Sequence, residues 1–186
     1  ALVPQGGNSG MVGGATPDVG GNQLLLSLRR MNRVRSIDTS ARSAVAEAGV
    51  ILETFHHEAL THGLRFPLTL GGKGSATIGG LVSTNAGGTQ VLRHGTMRAL
   101  VAGIEAVLPD GSIFDGLAPL KKDNRGYDLR HLLCGAEGTL GIVTAATLHL
   151  VPAAAARRTA WIAIDTPHRA LLLLRHLFLE TVSVNL

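Results

Sequence analysis

The chain is poor in aromatic side chains and almost without cysteine. Phe, Trp and Tyr together make up 3% of 186 residues, and Cys134 is the one thiol. A single cysteine excludes an intramolecular disulfide framework and points to no oxidising compartment, so a cytoplasmic location is expected. Cys134 itself reads as a small buried hydrophobe. With so few rings, stacking platforms for single-stranded nucleic acid cannot be built. The basic residues (among them Arg29, Arg30, Arg33, Arg35, Arg93, Lys121, Lys122, Arg157 and Arg158) are scattered, not gathered in a stripe, and no nucleic-acid partner is expected. Long apolar runs are missing as well. The longest, Ala170 to Leu174, stops at Arg175-His176, far short of the roughly 20 residues a membrane helix needs. No membrane span is expected, and no repeat or Pro/Gly/Ser linker is visible. The chain opens at Ala1 inside one apolar stretch and closes at Leu186 inside another, which reads as a piece of a longer protein.

What is plentiful is glycine, with 24 residues, nearly twice the usual share of about 7%. Two stretches concentrate it: Pro4-Gln5-Gly6-Gly7-Asn8-Ser9-Gly10, and Gly71-Gly72-Lys73-Gly74-Ser75-Ala76-Thr77-Ile78-Gly79-Gly80. Each follows an apolar run and offers successive backbone N–H groups with little side chain in the way. Glycine permits the backbone angles that point neighbouring amides at one anion, so the pair suits a diphosphate gripped from both sides. Tight turns in a strand-rich fold are the simpler alternative for either stretch alone. The formal charge of +4 suits an anionic cofactor or an acidic substrate.

Periodicity places strands at Ala1–Val3, Gln23–Leu28, Arg33–Asp38 and Ser43–Ala48. A helix follows, with Leu52, Phe55, Ala59 and Leu60 on one face and Gly63 as its stop. Its polar face carries His56, His57 and His62; with no carboxylate or cysteine motif to complete a shell, no metal site is expected. Thr77 is placed as the cap of a short helix beginning Ile78-Gly79-Gly80, where glycine costs roughly 1 kcal/mol each and so implies close approach at an anion-binding end. Val101–Leu108 and Ser112–Phe114 form a hairpin around Pro109-Asp110-Gly111. Asp128 caps a helix through Leu133, and a strand runs from Ile142 to Val151, ended by Pro152. Beyond Pro152 come a strand at Trp161–Ile164, a leucine-rich helix from Thr166-Pro167 to Glu180, and a strand at Val182–Val184.

Common nucleotide motifs do not fit. A P-loop needs Ser or Thr after Gly-Lys, and Lys73 is followed by Gly74; a Rossmann fingerprint needs a third glycine where Thr77 stands. Instead, four ordered motifs resemble the FAD-linked oxidases of the vanillyl-alcohol oxidase and p-cresol methylhydroxylase type: Val3 to Gly10; Lys73 to Gly80 with Ser83-Thr84-Asn85-Ala86-Gly87-Gly88; Lys122 to Leu129; and Glu137-Gly138-Thr139-Leu140-Gly141-Ile142. The nearest branch resembles the glycolate oxidase D-subunit, D-lactate dehydrogenase and D-2-hydroxyglutarate dehydrogenase group.

The resemblance implies an α+β fold: a PCMH-type FAD-binding domain of two subdomains over residues 1–152, lacking its start, then a truncated cap domain from 153 to 186. It implies that Gln5, Gly6, Gly7, Asn8, Ser9 and Gly10 wrap the FAD diphosphate. Pro67, Gly71, Gly74, Ser75, Thr77, Ile78 and Gly79 would hold it from the other side. Asn85, Ala86, Gly87 and Gly88 would pass near the flavin ring, and Gly138, Gly141, Ile142 and Val143 would lie along the cofactor. His94 stands where relatives often carry tyrosine, and the flavin is expected to be non-covalent. The implied reaction converts a 2-hydroxy acid to the 2-oxo acid: a base takes the hydroxyl proton while hydride passes from the α-carbon to flavin N5. An electron acceptor is then required, and a homodimer is expected. No catalytic residue can be named, because the family places the base, the carboxylate-binding arginine and often a metal in segments outside this sequence; Glu137 and Arg93 read as structural. Two alternatives stay open: an alditol- or phenol-type oxidase on the same domain, and an inactive flavin-free fragment that self-associates.

Overall fold

A computed structural model describes residues 1–120, 124, 126–156 and 158–180. The chain divides into two compact units, Ala1–Pro152 and Ala153–Leu186.

In the first unit, β1 (Leu2–Gln5) and β2 (Leu24–Ser27) pair in parallel, with Leu2 opposite Leu24 and Gln5 opposite Ser27. A five-stranded antiparallel sheet follows, built from β3 (Val34–Asp38), β4 (Ser43–Glu47), β6 (Val101–Val107), β7 (Ile113–Gly116) and β8 (Ile142–His149). Its spatial order is β3-β4-β8-β6-β7. The small pair of β5 (Leu64–Arg65) and β9 (Val151–Pro152) completes the strands. Central β4 and β8 are buried on both faces, because Ala, Val and Thr side chains allow close layers on either side. The hairpin forms as its turn residues predict: Gly111 takes φ +85°, and Asp110 Oδ1 accepts from Ser112 N at 2.9 Å.

On the core face, α1 (Leu52–Thr61) buries Leu52, Phe55 and Ala59, with the Phe55 and Phe66 rings edge-on at 5.3 Å. Leu60, expected on the same face, is exposed, since it lies one position beyond the i, i+3, i+7 stripe. Gly63 ends the helix at φ +70° as expected. His56 departs from the solvated face assigned to it: its Nε2 lies 2.9 Å from the Leu68 carbonyl, half-buried beside Phe66. His57 and His62 are exposed. Three short helices bring the chain across: α2 (Ile78–Ser83), α3 (Val91–His94) and α4 (Met97–Leu100). The fifth, α5 (Leu129–Leu133), is capped by Asp128 accepting from His131 N at 3.0 Å, as its sequence predicts.

Two end effects differ from expectation. Pro152 does not stop the long strand but sits in β9, at an edge where its missing N–H is not needed. Residues Trp161–Ile164 form no strand: among the described residues nothing pairs with them, and a lone extended segment has no ladder to hold it. In the second unit, α6 (Pro167–Glu180) begins after Thr166, whose Oγ1 accepts from Arg169 N at 3.3 Å. The strand expected at Val182–Val184 and part of the 122–129 motif lie outside the described residues.

Candidate functional site

The first glycine stretch leaves β1 as an open loop. Among the described residues, the amides of Gly6 through Val12 donate no hydrogen bond within the protein. Asn8 takes the left-handed conformation at φ 50°, which asparagine tolerates and which is one component of the backbone nests that bind anions. Gly6 and Gly7 are half-buried and Asn8 to Val12 are exposed, so these N–H groups are open to an acceptor from outside the chain.

The second stretch lies directly against the first. A Cβ on Gly7 would overlap the Ser75 carbonyl, and one on Gly6 would overlap Thr77 Oγ1. Gly72 stands 3.7 Å from Ser9 Cβ by the same measure. Gly6 and Gly7 are therefore glycines of close approach, and the two bends share one cleft. Its walls include Gly6, Gly10 and Gly14 from the first loop, Gly79, Gly80, Ser83 and Thr84 from α2, and Gly138, Gly141, Ile142 and Val143 from the start of β8.

The second stretch is tied into the fold through several of its amides: Ser75 and Ala76 donate to Gly72 O, Ile78 to Val50 O at 2.9 Å, and Gly79 to Ala48 O at 2.8 Å. Gly79 leaves no room for a side chain on its inner side, where a Cβ would stand 2.6 Å from Ala48 Cβ. Thr77 occupies the cap position of α2, but its side chain makes no cap hydrogen bond. Its hydroxyl is turned toward Gly6 and lies buried without a partner. The second stretch thus backs the first loop through Ser75 and Thr77, and the longest run of amides without an internal acceptor, Gly6 to Val12, lies on the first loop.

Several expected site residues are placed elsewhere. Pro67 is fully buried in the core, where it can meet no ligand. Gly71 and Gly74 are exposed on the loop's outer side, where Lys73 pairs with Glu53 at 2.9 Å. Asn85 is held at φ 46° with its Oδ1 accepting from Arg98 N at 2.9 Å. Ala86 donates to Leu81 O, and a Cβ on Gly88 would overlap the Thr69 carbonyl; Gly87 lies 3.2 Å from Val91 by that measure. These four organise the exit from α2 and do not line the cleft. Arg98 also donates to the His131 and Cys134 carbonyls, tying that exit to the end of α5. His94 does not line the cleft either; its Nε2 lies 3.4 Å from Arg65 Nη2, and burial with Arg65 and Arg93 pushes its pKa down.

Sequence reasoning missed Gly80, Ser83 and Thr84. They recur at i, i+3 and i+4, opposite the buried Ile78, Leu81 and Val82, so the helical period carried the signal. Among the described residues no Lys or Arg lines the cleft, and Glu137, at φ 52°, adds a carboxylate. Anion attraction here rests on neutral N–H dipoles. The donor set fits a diphosphate: unpaired amides, glycines with no room for a Cβ, and an orphaned hydroxyl behind them.

The chain resembles bovine (Bos taurus) mitochondrial D-2-hydroxyglutarate dehydrogenase, with 47% identity over 152 residues, covering 82% of this chain and 28% of the relative. The Saccharomyces cerevisiae D-2-hydroxyglutarate–pyruvate transhydrogenase is 44% identical over 148 residues, 80% of this chain and 29% of the relative. A putative mitochondrial D-lactate dehydrogenase of Schizosaccharomyces pombe is 44% identical over 144 residues, 77% and 27% of the two chains. The chain thus spans under a third of the length of these relatives. Among solved structures, alkyldihydroxyacetonephosphate synthase has the same fold, with TM-score 0.74 at 24% identity, covering 83% of this chain and 28% of that one. Residues 1–116 match the family described as FAD binding domain. The match covers more than half of the chain and includes both glycine bends, so the chain belongs to the FAD-binding-domain family, and its cofactor is FAD.

Proposed function

We propose that this chain supplies the flavin-binding part of an FAD-dependent oxidoreductase that oxidises a 2-hydroxy acid such as D-2-hydroxyglutarate, D-lactate or glycolate. The observation that carries the reading is the run of unspent amides from Gly6 to Val12, backed by Ser75 and Thr77 and bordering a glycine-walled cleft. The names of the bovine and yeast relatives supply the substrate class.

In this reading Gly6, Gly7, Asn8, Ser9 and Gly10 hold the diphosphate by main-chain donors, each charge-assisted bond contributing about 1.5–3 kcal/mol. Ser75, Thr77, Ile78 and Gly79 fix that loop from behind. The cofactor extends along Gly80, Ser83 and Thr84 on one wall, and along Gly138, Gly141, Ile142 and Val143 on the other. When bound, FAD supplies the two-electron acceptor for hydride; the chain's own residues bind and orient it. Residues 1–152 form the FAD-binding domain in this proposal, and 153–186 open a substrate or cap domain. We place no catalytic base or substrate arginine in this stretch.

Three further parts of the proposal are an electron acceptor, a homodimer and a cytoplasmic location. No helix of the described residues is long and apolar enough to cross a membrane. The animal and plant relatives are named mitochondrial, so mitochondrial recovery on fractionation is the result that would displace the cytoplasmic assignment. The activity is tested by offering a panel of 2-hydroxy acids and alditols to the full-length FAD-loaded protein with an artificial dye acceptor. Reduction with 2-hydroxy acids supports the proposal, and reduction only with alditols or phenols overturns it.

A further inference from the structure

The free amides of the first loop need a device that holds them in place, because they make no bonds of their own. The ascending limb is fixed by contact, Gly7 being seated on the Ser75 carbonyl. The descending limb has no such close seat: no atom lies within 4 Å of a Cβ built on Gly10 or Gly13, one on Gly14 meets only Glu137 Oε2 at 3.9 Å, and Met11 and Val12 at the tip are exposed. One long-range bond reaches that limb. Gln5 Nε2 donates to the Ala15 carbonyl at 2.7 Å, across ten residues, and a local turn from Thr16 N to Gly13 O at 3.0 Å sits beside it. The base of the Gln5 side chain is immobile, since its backbone pairs with Ser27 in the parallel ladder and its carbonyl accepts from Leu28 N at 2.9 Å. Gly14 and Ala15, the far end of the strap, line the cleft.

We propose that Gln5 is a positioning residue: its side-chain amide straps the descending limb to β1 and so pre-arranges the donor array, without itself touching the ligand. This rests on the reading of the cleft as the FAD diphosphate site, and it changes the role assigned to Gln5 there from contact to clamp. A short loop ordered before binding spares the ligand the entropy of ordering it. The side-chain amide is required because a carboxylate cannot donate to the Ala15 carbonyl.

The test uses the purified protein, stripped of flavin, as wild type, Gln5→Ala and Gln5→Glu. Three quantities are read: FAD affinity by quenching of flavin fluorescence, thermal midpoint without flavin, and the rate of proteolytic cleavage within residues 10–15. Both variants are expected to bind FAD about tenfold more weakly, about 1.4 kcal/mol. Their midpoints should stay at the wild-type value, and their loops should be cut several-fold faster. Unchanged affinity in Gln5→Ala overturns the proposal. Weakened affinity with wild-type cleavage overturns it too, because Gln5 would then be a direct contact. A wild type that binds no FAD sinks the diphosphate reading, while the cleavage comparison still decides whether the strap exists.

Discussion

Gly79 and Gly80 are neighbours in sequence with opposite predicted responses to a methyl group. Gly79 is buried, and a Cβ there would stand 2.6 Å from Ala48 Cβ and 3.1 Å from the Ala48 Cα and carbonyl oxygen. All three atoms belong to a wholly buried residue next to the central strand, so little can give way. Overpacking of this kind costs about 1–3 kcal/mol, and the strained Gly79 N–Ala48 O bond adds about 1 kcal/mol. Replacing glycine in a helix returns about 1 kcal/mol. Gly79→Ala is thus expected to lose about 2 kcal/mol, roughly 4–8 °C in thermal midpoint for a domain of this size. At Gly80 the nearest atom to a new Cβ is Thr77 Oγ1 at 3.5 Å, an ordinary contact, and the residue is exposed on the cleft wall. Gly80→Ala should therefore keep the full helix gain, a rise of roughly 2–4 °C, while the methyl group occupies cofactor space and weakens FAD binding at least tenfold. Differential scanning fluorimetry without flavin, paired with an FAD titration, reads both. Wild-type stability in Gly79→Ala would refute the packing argument. Wild-type FAD affinity in Gly80→Ala would refute the placement of the cofactor on this wall.

Other expected outcomes concern the loop, the sheet and the thiol. Gly7→Ala cannot be seated on Ser75 and should abolish flavin retention, seen as colourless purified protein. Glu47 is 4% exposed and accepts from the Arg33 amide at 2.9 Å and from Arg35 Nε at 3.2 Å; Glu47→Ala removes those bonds while Arg35 keeps its pair with Glu105, and should cost about 1–2 kcal/mol by denaturant titration. Burial alone would raise the Glu47 pKa, but the Arg33 amide and the two guanidinium groups outweigh it, and hydrogen bonds from Arg35 and Thr144 lower that of Glu105. Both folded values lie below the ordinary 4.5, so their contribution to stability is full above that pH and is lost as the pH falls through the folded values. The thermal midpoint should be flat near pH 6 and fall below about pH 4.5, with a shallower fall in Glu105→Gln. Burial also pushes the Cys134 thiol up, and a disulfide reagent at pH 8 should leave it unmodified until the protein unfolds.

Much of the fold was legible because its signals are local. The β6–β7 hairpin announces itself in Pro109-Asp110-Gly111, α5 in Asp128, α1 in its buried stripe and Gly63. The one- and two-turn elements α3, α4 and β5 carry too few residues for a period to emerge. Trp161–Ile164 has strand composition, yet composition cannot supply a partner strand. At the site, the glycines marked two bends that the fold does bring together, but not which of their amides have acceptors inside the protein. Whether an amide is free depends on which carbonyl lies opposite, and Val50 and Ala48, which take the Ile78 and Gly79 donors, are about thirty residues away in the chain. Gly79 and Gly80 look alike in sequence and differ only in what stands behind each. The wall formed by Gly80, Ser83 and Thr84 was readable from the helical period once α2 was placed.

Assigned backbone amide resonances of the flavin-free protein, followed during an FAD titration, test the central assignment most directly. The largest shifts should fall on Gly6 to Gly10, while the Ile78 and Gly79 amides stay hydrogen-bonded to Val50 and Ala48 and move little. Shifts confined to residues outside the cleft, or a titration that leaves the first loop unmoved, would contradict the account.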